Sequence, residues 1–298
     1  MKYIISGGTG FIGRRLVKRL LADTDYVAVW SRKPGLELRT GVASHSWDPL
    51  NGEPPEESIN GMDTVIHLAG EPVAQRWNAE VRRRISDSRV LGTRRLVDVI
   101  GRVKHKPTTL IAASAIGYYG DRGAEILQEN AGPGRGFLAQ VCMGWEAEAD
   151  RAAQFGVRVV KLRIGIVLGP DGGALQPMRP VFRAGLGGKL GSGRQFMPWI
   201  HVEDVVGMIR HAATHDVSGA MNCTAPNPVT NAEFTAALGK AVHRPTIFPV
   251  PGFVLRLLFG EMGAHMLDSA RVVPKAALRS GYEFQYPELA GALASLAG

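Results

Sequence analysis

Two hydrophobic periods alternate along the first 165 positions. The continuous apolar run Tyr3-Ile4-Ile5 reads as a buried strand. Immediately after it Phe11, Ile12, Leu16, Val17, Leu20 and Leu21 recur at helical spacing. Tyr26 to Trp30 predicts a second strand, Val42 to Trp47 a short third, and Asp63 to Gly70 a fourth that ends in small residues. A long helix is expected from Asn78 to Val103, with Ile85, Leu96, Val97 and Ile100 among its apolar positions. Thr109 to Ser114 gives a fifth strand, Phe137 to Gln154 a helix, and Val157 to Ile164 a sixth strand. Strands alternating with helices in this way imply a parallel sheet covered on both faces, an α/β doubly wound, Rossmann-like architecture over residues 1–165.

From residue 166 to 298 the texture changes to a smaller, mostly helical substrate domain, with some interleaving with the first. Residues 171–198 hold seven glycines and three prolines, which predicts a loop able to cover a ligand. A helix opens at His201, Thr230-Asn-Ala-Glu233 is a capping box for another, and two short helices are expected near 252–260 and 269–279. Gly187-Gly188-Lys189 is no phosphate loop, because Leu190 stands where Ser or Thr is needed and no strand precedes it.

Between the first strand and helix, Gly7, Gly10 and Gly13 form a G-x-x-G-x-x-G pattern. Glycine permits the tight turn and lets backbone approach a pyrophosphate, whose charge then sits at the positive end of the helix. Gly7, Thr9, Gly10, Phe11, Ile12 and Gly13 are therefore candidate cofactor-binding residues. The end of the second strand selects between dinucleotides: an acidic side chain binds the ribose of NAD, a basic one the 2′-phosphate of NADP. Here Ser31 and Arg32 stand there, followed by Lys33, which points to NADP. Leu68, Ala69 and Gly70 leave room at the carboxyl end of the fourth strand, where open α/β sheets bind ligands. Arg163, at the end of the sixth strand, meets a phosphate or carboxylate at that edge or else forms an ion pair there.

Charge and composition narrow the classes. The chain has 45% hydrophobic and 21% charged residues and a net charge of +8, which favours anionic partners such as a phosphate-bearing cofactor or substrate. Nucleic acid is not expected, since the densest basic run, Arg82-Arg83-Arg84, lies on one helix without interleaved aromatics. No apolar run approaches a membrane span and no leader precedes the first strand, so a cytoplasmic protein without a membrane partner is the expectation. Cys142 and Cys223 have no ligand spacing, and His211 and His215 lack a third ligand, so no metal is expected.

These features resemble the extended branch of the short-chain dehydrogenase/reductase superfamily, through Gly7 to Gly13, His67-Leu-Ala-Gly70, Ser114 followed by Tyr118-Tyr119-Gly120, Leu162 to Gly169, and Trp199-Ile-His-Val-Glu-Asp204. The finer match is to an epimerase-like subgroup, through Gly70-Glu71-Pro72, Ser88-Arg89, Cys142-Met-Gly-Trp145-Glu146 and the tail from Gly260 to Lys275. The resemblance implies a Ser that polarises a carbonyl, a Tyr that exchanges a proton, and a Lys four residues beyond it that lowers the Tyr pKa. Ser114 takes the serine place. The tyrosine window, Leu138 to Cys142, holds no tyrosine, and the lysine window, Cys142 to Glu146, no lysine.

Ser114, Tyr119 and Glu146 are accordingly the candidate catalytic residues. Glu129 reads as a solvated loop carboxylate, and Glu146 also fits a solvated helix face. The function expected is NADP-dependent oxidoreductase or epimerase-like chemistry on a small carbonyl or hydroxyl substrate, with reduction favoured. The competing reading is a catalytically silent NADPH-binding sensor or scaffold.

Overall fold

The computed structural model describes residues 1–23, 25–32 and 41–296. Its centre is a seven-stranded, wholly parallel sheet. The strands are β1 (Lys2–Ser6), β2 (Tyr26–Ser31), β3 (Val42–Ser46), β4 (Thr64–His67), β5 (Thr109–Ala115), β6 (Arg158–Ile164) and β7 (Gly219–Cys223). Their spatial order is β7-β6-β5-β4-β1-β2-β3. The chain therefore winds outward in two directions from β1, and the crevice between β1 and β4 is the switch point at which such sheets take ligands.

Strand alternation explains the two cores. Tyr3, Ile5, Val27 and Val29 face α1 (Phe11–Ala22) and bury its Leu16, Val17 and Leu20. Ile4, Ala28 and Trp30 face the other way, against Leu96, Val97 and Ile100 of α2 (Ala79–Arg102). α2 begins on Asn78, whose side chain accepts from the Val81 amide at 2.8 Å. α3 (Phe137–Asp150) lies beside it and passes into a 3-10 turn, Arg151–Phe155, which Gly156 ends at φ +79°.

Four elements depart from the sequence pattern. β7 was not expected: Gly-Ala-Met-Asn-Cys has little strand character and is held by pairing with β6. It arises beyond residue 166, so the main sheet draws on both parts of the chain. The glycine-rich stretch 171–198 contains a helix, α4 (Leu175–Arg183), because burial of Leu175 and Phe182 outweighs its prolines. The expected 269–279 helix is confined to Lys275–Arg279; Pro274 stops it, and Arg271–Val272 instead pairs with Ile126–Leu127. The expected 252–260 helix is α7 (Gly252–Phe259), and it is followed by a further short helix at Glu261–His265.

The C-terminal part packs around Trp199, Phe234 and Leu293, with α5 (Val202–Thr214) bridging to the sheet and α6 (Asn231–Ala241) opening on the expected Thr230/Glu233 capping box. Asp204, fully buried on α5, ties down the tail. Its carboxylate accepts from the amides of Gln285 (2.8 Å) and Tyr286 (3.0 Å) and from the Tyr282 hydroxyl (3.1 Å).

Candidate active site

The cleft at the carboxyl edge follows the sheet order. Ser31 and Arg32 on the β2 side line one end, Gly7, Thr9 and Gly10 the middle, and Leu68, Ala69 and Gly70 on the β4 side the other. Gly7 turns at φ +71°, and a Cβ there would crowd the Ala69 amide at 3.1 Å. At Gly13 a Cβ would collide with the Gly7 carbonyl, so these two glycines set how closely loop and helix approach. Gly10 is the N-cap of α1. Among the described residues no side chain caps that helix and no acidic residue lies in its first turn, which leaves its amides and its positive end for an anion. The loop therefore fits a pyrophosphate.

Phe11 and Ile12 enter that first turn, but their side chains lead elsewhere. Phe11 packs on Gly169, Gly172 and Gly173 and lies beneath the Arg15 guanidinium, and Ile12 joins the core. Lys33 lies outside the described residues. The same cleft is also lined by Trp47, Asp48, Pro49 and Leu50, which the sequence pattern marks only as the end of a strand and a loop. An aromatic closing the third strand beside the switch point was the available signal.

The subgroup motifs fold the loop after β4 onto the helices. Ser88 Oγ accepts from the Glu71 amide at 3.0 Å, and Arg89 donates to the Glu71 carbonyl at 3.0 Å. The Arg89 guanidinium also stands 5.2 Å from the Trp145 ring centre. Beneath the loop, Ser6 Oγ accepts from the amides of Leu68 and Ala69, both at 3.1 Å, so its own proton goes to His67 Nδ1 at 2.6 Å. His67 is fully buried, and burial followed by the nearby Arg89 charge lowers its pKa to about 4.

At the end of β5, Ser114 donates to Glu146 Oε1 at 2.7 Å. Arg163 grips the same carboxylate with two of its three nitrogens, Nε to Oε1 at 2.8 Å and Nη2 to Oε2 at 2.9 Å. Its remaining arm reaches the Tyr119 hydroxyl at 2.9 Å and the Glu129 carbonyl at 3.1 Å. Tyr119 in turn donates to Asn222 Oδ1 at 2.7 Å. Glu129 Oε1 accepts from the amides of Asn222 (3.1 Å) and Ala276 (3.0 Å). Burial raises the Tyr119 pKa although Arg163 pulls it down. For Arg163 burial opposes the charge, but the bonds to Glu146 and Tyr119 prevail and its pKa is raised.

Four expectations change here. Arg163 does not line the cofactor cleft; each of its three nitrogens is bonded to Glu146, Tyr119 or Glu129. Glu146 is not on a solvated face; it is 6% exposed and paired inside. Glu129 is likewise half-buried and engaged rather than solvated. Tyr119 is fully buried and bonded to Arg163, and neither it nor Ser114, which is 2% exposed, is among the residues that line the cleft. Asn222 was missed, since it rides on the unforeseen β7.

In the tyrosine and lysine windows the structure puts Leu138 against Gly117 and Cys142 under Ala115, whose carbonyl lies 3.7 Å from Sγ. Burial, then the charge of Glu146, pushes the Cys142 thiol up to about 11, so it is a core thiol and no nucleophile at neutral pH. His201 caps α5 by accepting from the Glu203 amide, and the His211 and His215 rings stack at 3.9 Å. Among the described residues no group of His, Cys, Asp and Glu could hold a metal ion.

The chemistry of Ser114 follows from its single proton. While that proton is given to Glu146, Oγ offers only lone pairs, and it accepts a hydrogen bond from a hydroxyl or amide. To donate to a carbonyl, the hydroxyl has to rotate away and leave Glu146 paired with Arg163 alone.

The family model for NAD dependent epimerase/dehydratase proteins matches residues 3–224, and that of a domain of unknown function, DUF1731, matches residues 250–296. A chloroplastic epimerase family protein SDR39U1 homolog of Arabidopsis thaliana is 40% identical over 301 residues, covering 99% of this chain and 86% of its own. Epimerase family protein Mb2239 of Mycobacterium bovis is 40% identical over 293 residues, with 97% and 95% covered. The crystal structure of human epimerase family protein SDR39U1 (isoform 2) with NADPH superimposes with a TM-score of 0.88 at 34% identity, covering 100% of this chain and 99% of the other. With its parallel sheet, its glycine loop and matches of this extent, the chain belongs to the NAD-dependent epimerase/dehydratase family and carries the DUF1731 domain at its C-terminal end.

Proposed function

We propose that this protein binds NADP(H) and is an oxidoreductase or epimerase-like enzyme for a small carbonyl or hydroxyl substrate, with carbonyl reduction as the favoured direction. The observation that carries the reading is a single cleft that runs from Arg32 at the β2 edge past the open helix N-terminus to Gly70 at β4, with Ser114 on the next strand. Arg32 meets the 2′-phosphate, the α1 amides meet the pyrophosphate, and the Gly70 end takes the nicotinamide. The NADPH bound by the human relative supports the same preference. When bound, the nicotinamide supplies or takes up hydride.

Ser114 holds the substrate oxygen. Toward a hydroxyl it accepts, its own proton resting on Glu146; toward a carbonyl it turns and donates. Arg163 keeps the Glu146 carboxylate fixed through that rotation, and Tyr119 and Asn222 hold Arg163 in place. Leu138 and Cys142 make no counterpart of a tyrosine-lysine pair, so the serine with its carboxylate is the polar centre of the site.

The test has two stages. NADPH should raise the melting temperature more than NADH does, and equal shifts would remove the assignment to Arg32. NADPH absorbance is then followed against a panel of carbonyl compounds and fractionated metabolite extract. Turnover that disappears in Ser114→Ala supports an enzyme, whereas tight binding without turnover on every fraction identifies a cofactor-binding protein that does no chemistry.

A further inference from the structure

The chain carries no Asp or Glu between Asp171 and Glu203, and none between Glu233 and Glu261. The fold lays these two stretches side by side. Val250 donates to the Lys189 carbonyl at 2.8 Å, the Gly191 amide donates to the Val250 carbonyl at 2.9 Å, and Arg244 Nε donates to the Arg183 carbonyl at 2.9 Å. The Phe248 carbonyl rests directly on Gly188, where no Cβ would fit.

On this joined surface large apolar side chains point outward. Leu186, Ile247 and Phe248 are 62%, 70% and 58% exposed, and Phe253, Leu257 and Leu258 of α7 are 72%, 74% and 60% exposed. Of the α7 side chains only Leu255 is buried. Around them stand Arg183, Lys189, Arg194, Lys240, Arg244 and Arg256, all exposed and none in an ion pair among the described residues. These six cations come from stretches that hold no Asp or Glu, so the surface is locally positive in a chain whose net charge is +8.

We infer that this face docks on an anionic lipid bilayer surface. Aromatic and leucine side chains ringed by Lys and Arg suit the boundary between headgroups and acyl chains, where each cation is drawn to an anionic surface. A second copy of the chain fits poorly. A two-fold contact presents the same patch to itself, which would set six cations against six with no carboxylate to neutralise them. No described helix is long and apolar enough to cross a membrane, so the contact is one of lying at the surface rather than spanning.

The experiment is cosedimentation of the full chain with vesicles of phosphatidylcholine alone and of equal parts phosphatidylcholine and phosphatidylglycerol. The pelleted fraction should rise about tenfold with the anionic lipid and fall back in high salt. Phe253→Ser with Leu257→Ser should abolish it while the NADPH thermal shift stays as in the parent, which shows that the variant folds. Failure to pellet with anionic vesicles overturns the inference, as does equal pelleting of parent and variant. A concentration-dependent dimer in analytical ultracentrifugation that the same variant dissolves, without vesicle binding, would give the face to a second copy instead.

Discussion

The Ser114 hydroxyl and the Glu146 carboxylate, 32 positions apart in sequence, lie 2.7 Å apart inside the protein, and Arg163 closes on the same carboxylate from β6. Removing one charge of this buried pair strands the other. Glu146→Ala should lower the unfolding free energy by about 3–5 kcal/mol, whereas the double change Glu146→Leu with Arg163→Met should cost much less. Urea denaturation of the parent, Glu146→Leu, Arg163→Met and the double variant measures this, and additive losses would show that the two residues are not coupled.

Arg32 has no side-chain partner in the described structure to lose, and it borders the cleft. Arg32→Ala should therefore leave stability nearly unchanged and weaken NADPH binding about tenfold, with NADH binding little affected. Calorimetric titration of both cofactors checks this; parallel losses for the two would assign Arg32 a role other than reading the 2′-phosphate.

His67 sets an acid limit. Its folded pKa of about 4 lies below the ordinary value of 6.5, so the folded state excludes a proton that the unfolded chain takes up. Its contribution is complete above pH 6.5 and is lost as pH falls from 6.5 to 4, on the order of 3 kcal/mol in all. His201, also lowered to about 4 chiefly by burial, acts in the same direction. In His67→Gln the decline of stability between pH 6.5 and 4 should be shallower than in the parent; an unchanged slope would show that His67 does not titrate this way.

Asp204 holds three donors from the 282–286 segment. Asp204→Ala should leave them unsatisfied and cost about 2–4 kcal/mol. Hydrogen exchange should then quicken at the Gln285 and Tyr286 amides before it does in the central sheet. Unaltered exchange there would mean that packing of the tail suffices without the carboxylate.

Thiol chemistry gives a simple check on the missing lysine. With Cys142 pushed up to about 11 by burial and Glu146, and Cys223 raised further by full burial, neither thiol should react with a thiol reagent at neutral pH until the protein unfolds. Rapid native labelling at Cys142 would place a reactive sulfur beside Ser114.

Much of the cofactor half is legible in sequence because local and global signals coincide there. Tyr3 to Gly13 carries strand period, glycine turn and helix period in one uninterrupted run, and tertiary packing only ratifies it. The network around Ser114 is illegible for the opposite reason. Glu146 lies on a helix beside Glu148 and Asp150, and nothing local distinguishes the carboxylate that meets Ser114 and Arg163 from the two that pair with Arg94, Arg151 and Lys161. Its partner, Arg163, comes from another element, and Asn222 comes from a strand formed only by pairing at the edge of β6. Pro177 and Pro180 hid α4 similarly, since the burial of Leu175 and Phe182 is a property of the fold and not of the segment.

β7 has a consequence for the order in which the molecule is built. Synthesis delivers β6 more than fifty residues before β7, so for that interval β6 is an open edge with unpaired amides and Arg163 lacks the full cage around Tyr119. The last strand to arrive both seals the sheet and brings Asn222 to the tyrosine. A nascent chain can therefore complete its glycine loop early, but the polar centre beside Ser114 is finished only after β7 has emerged from the second part, which ties the maturation of the site to a long-range strand pairing at the edge of the sheet.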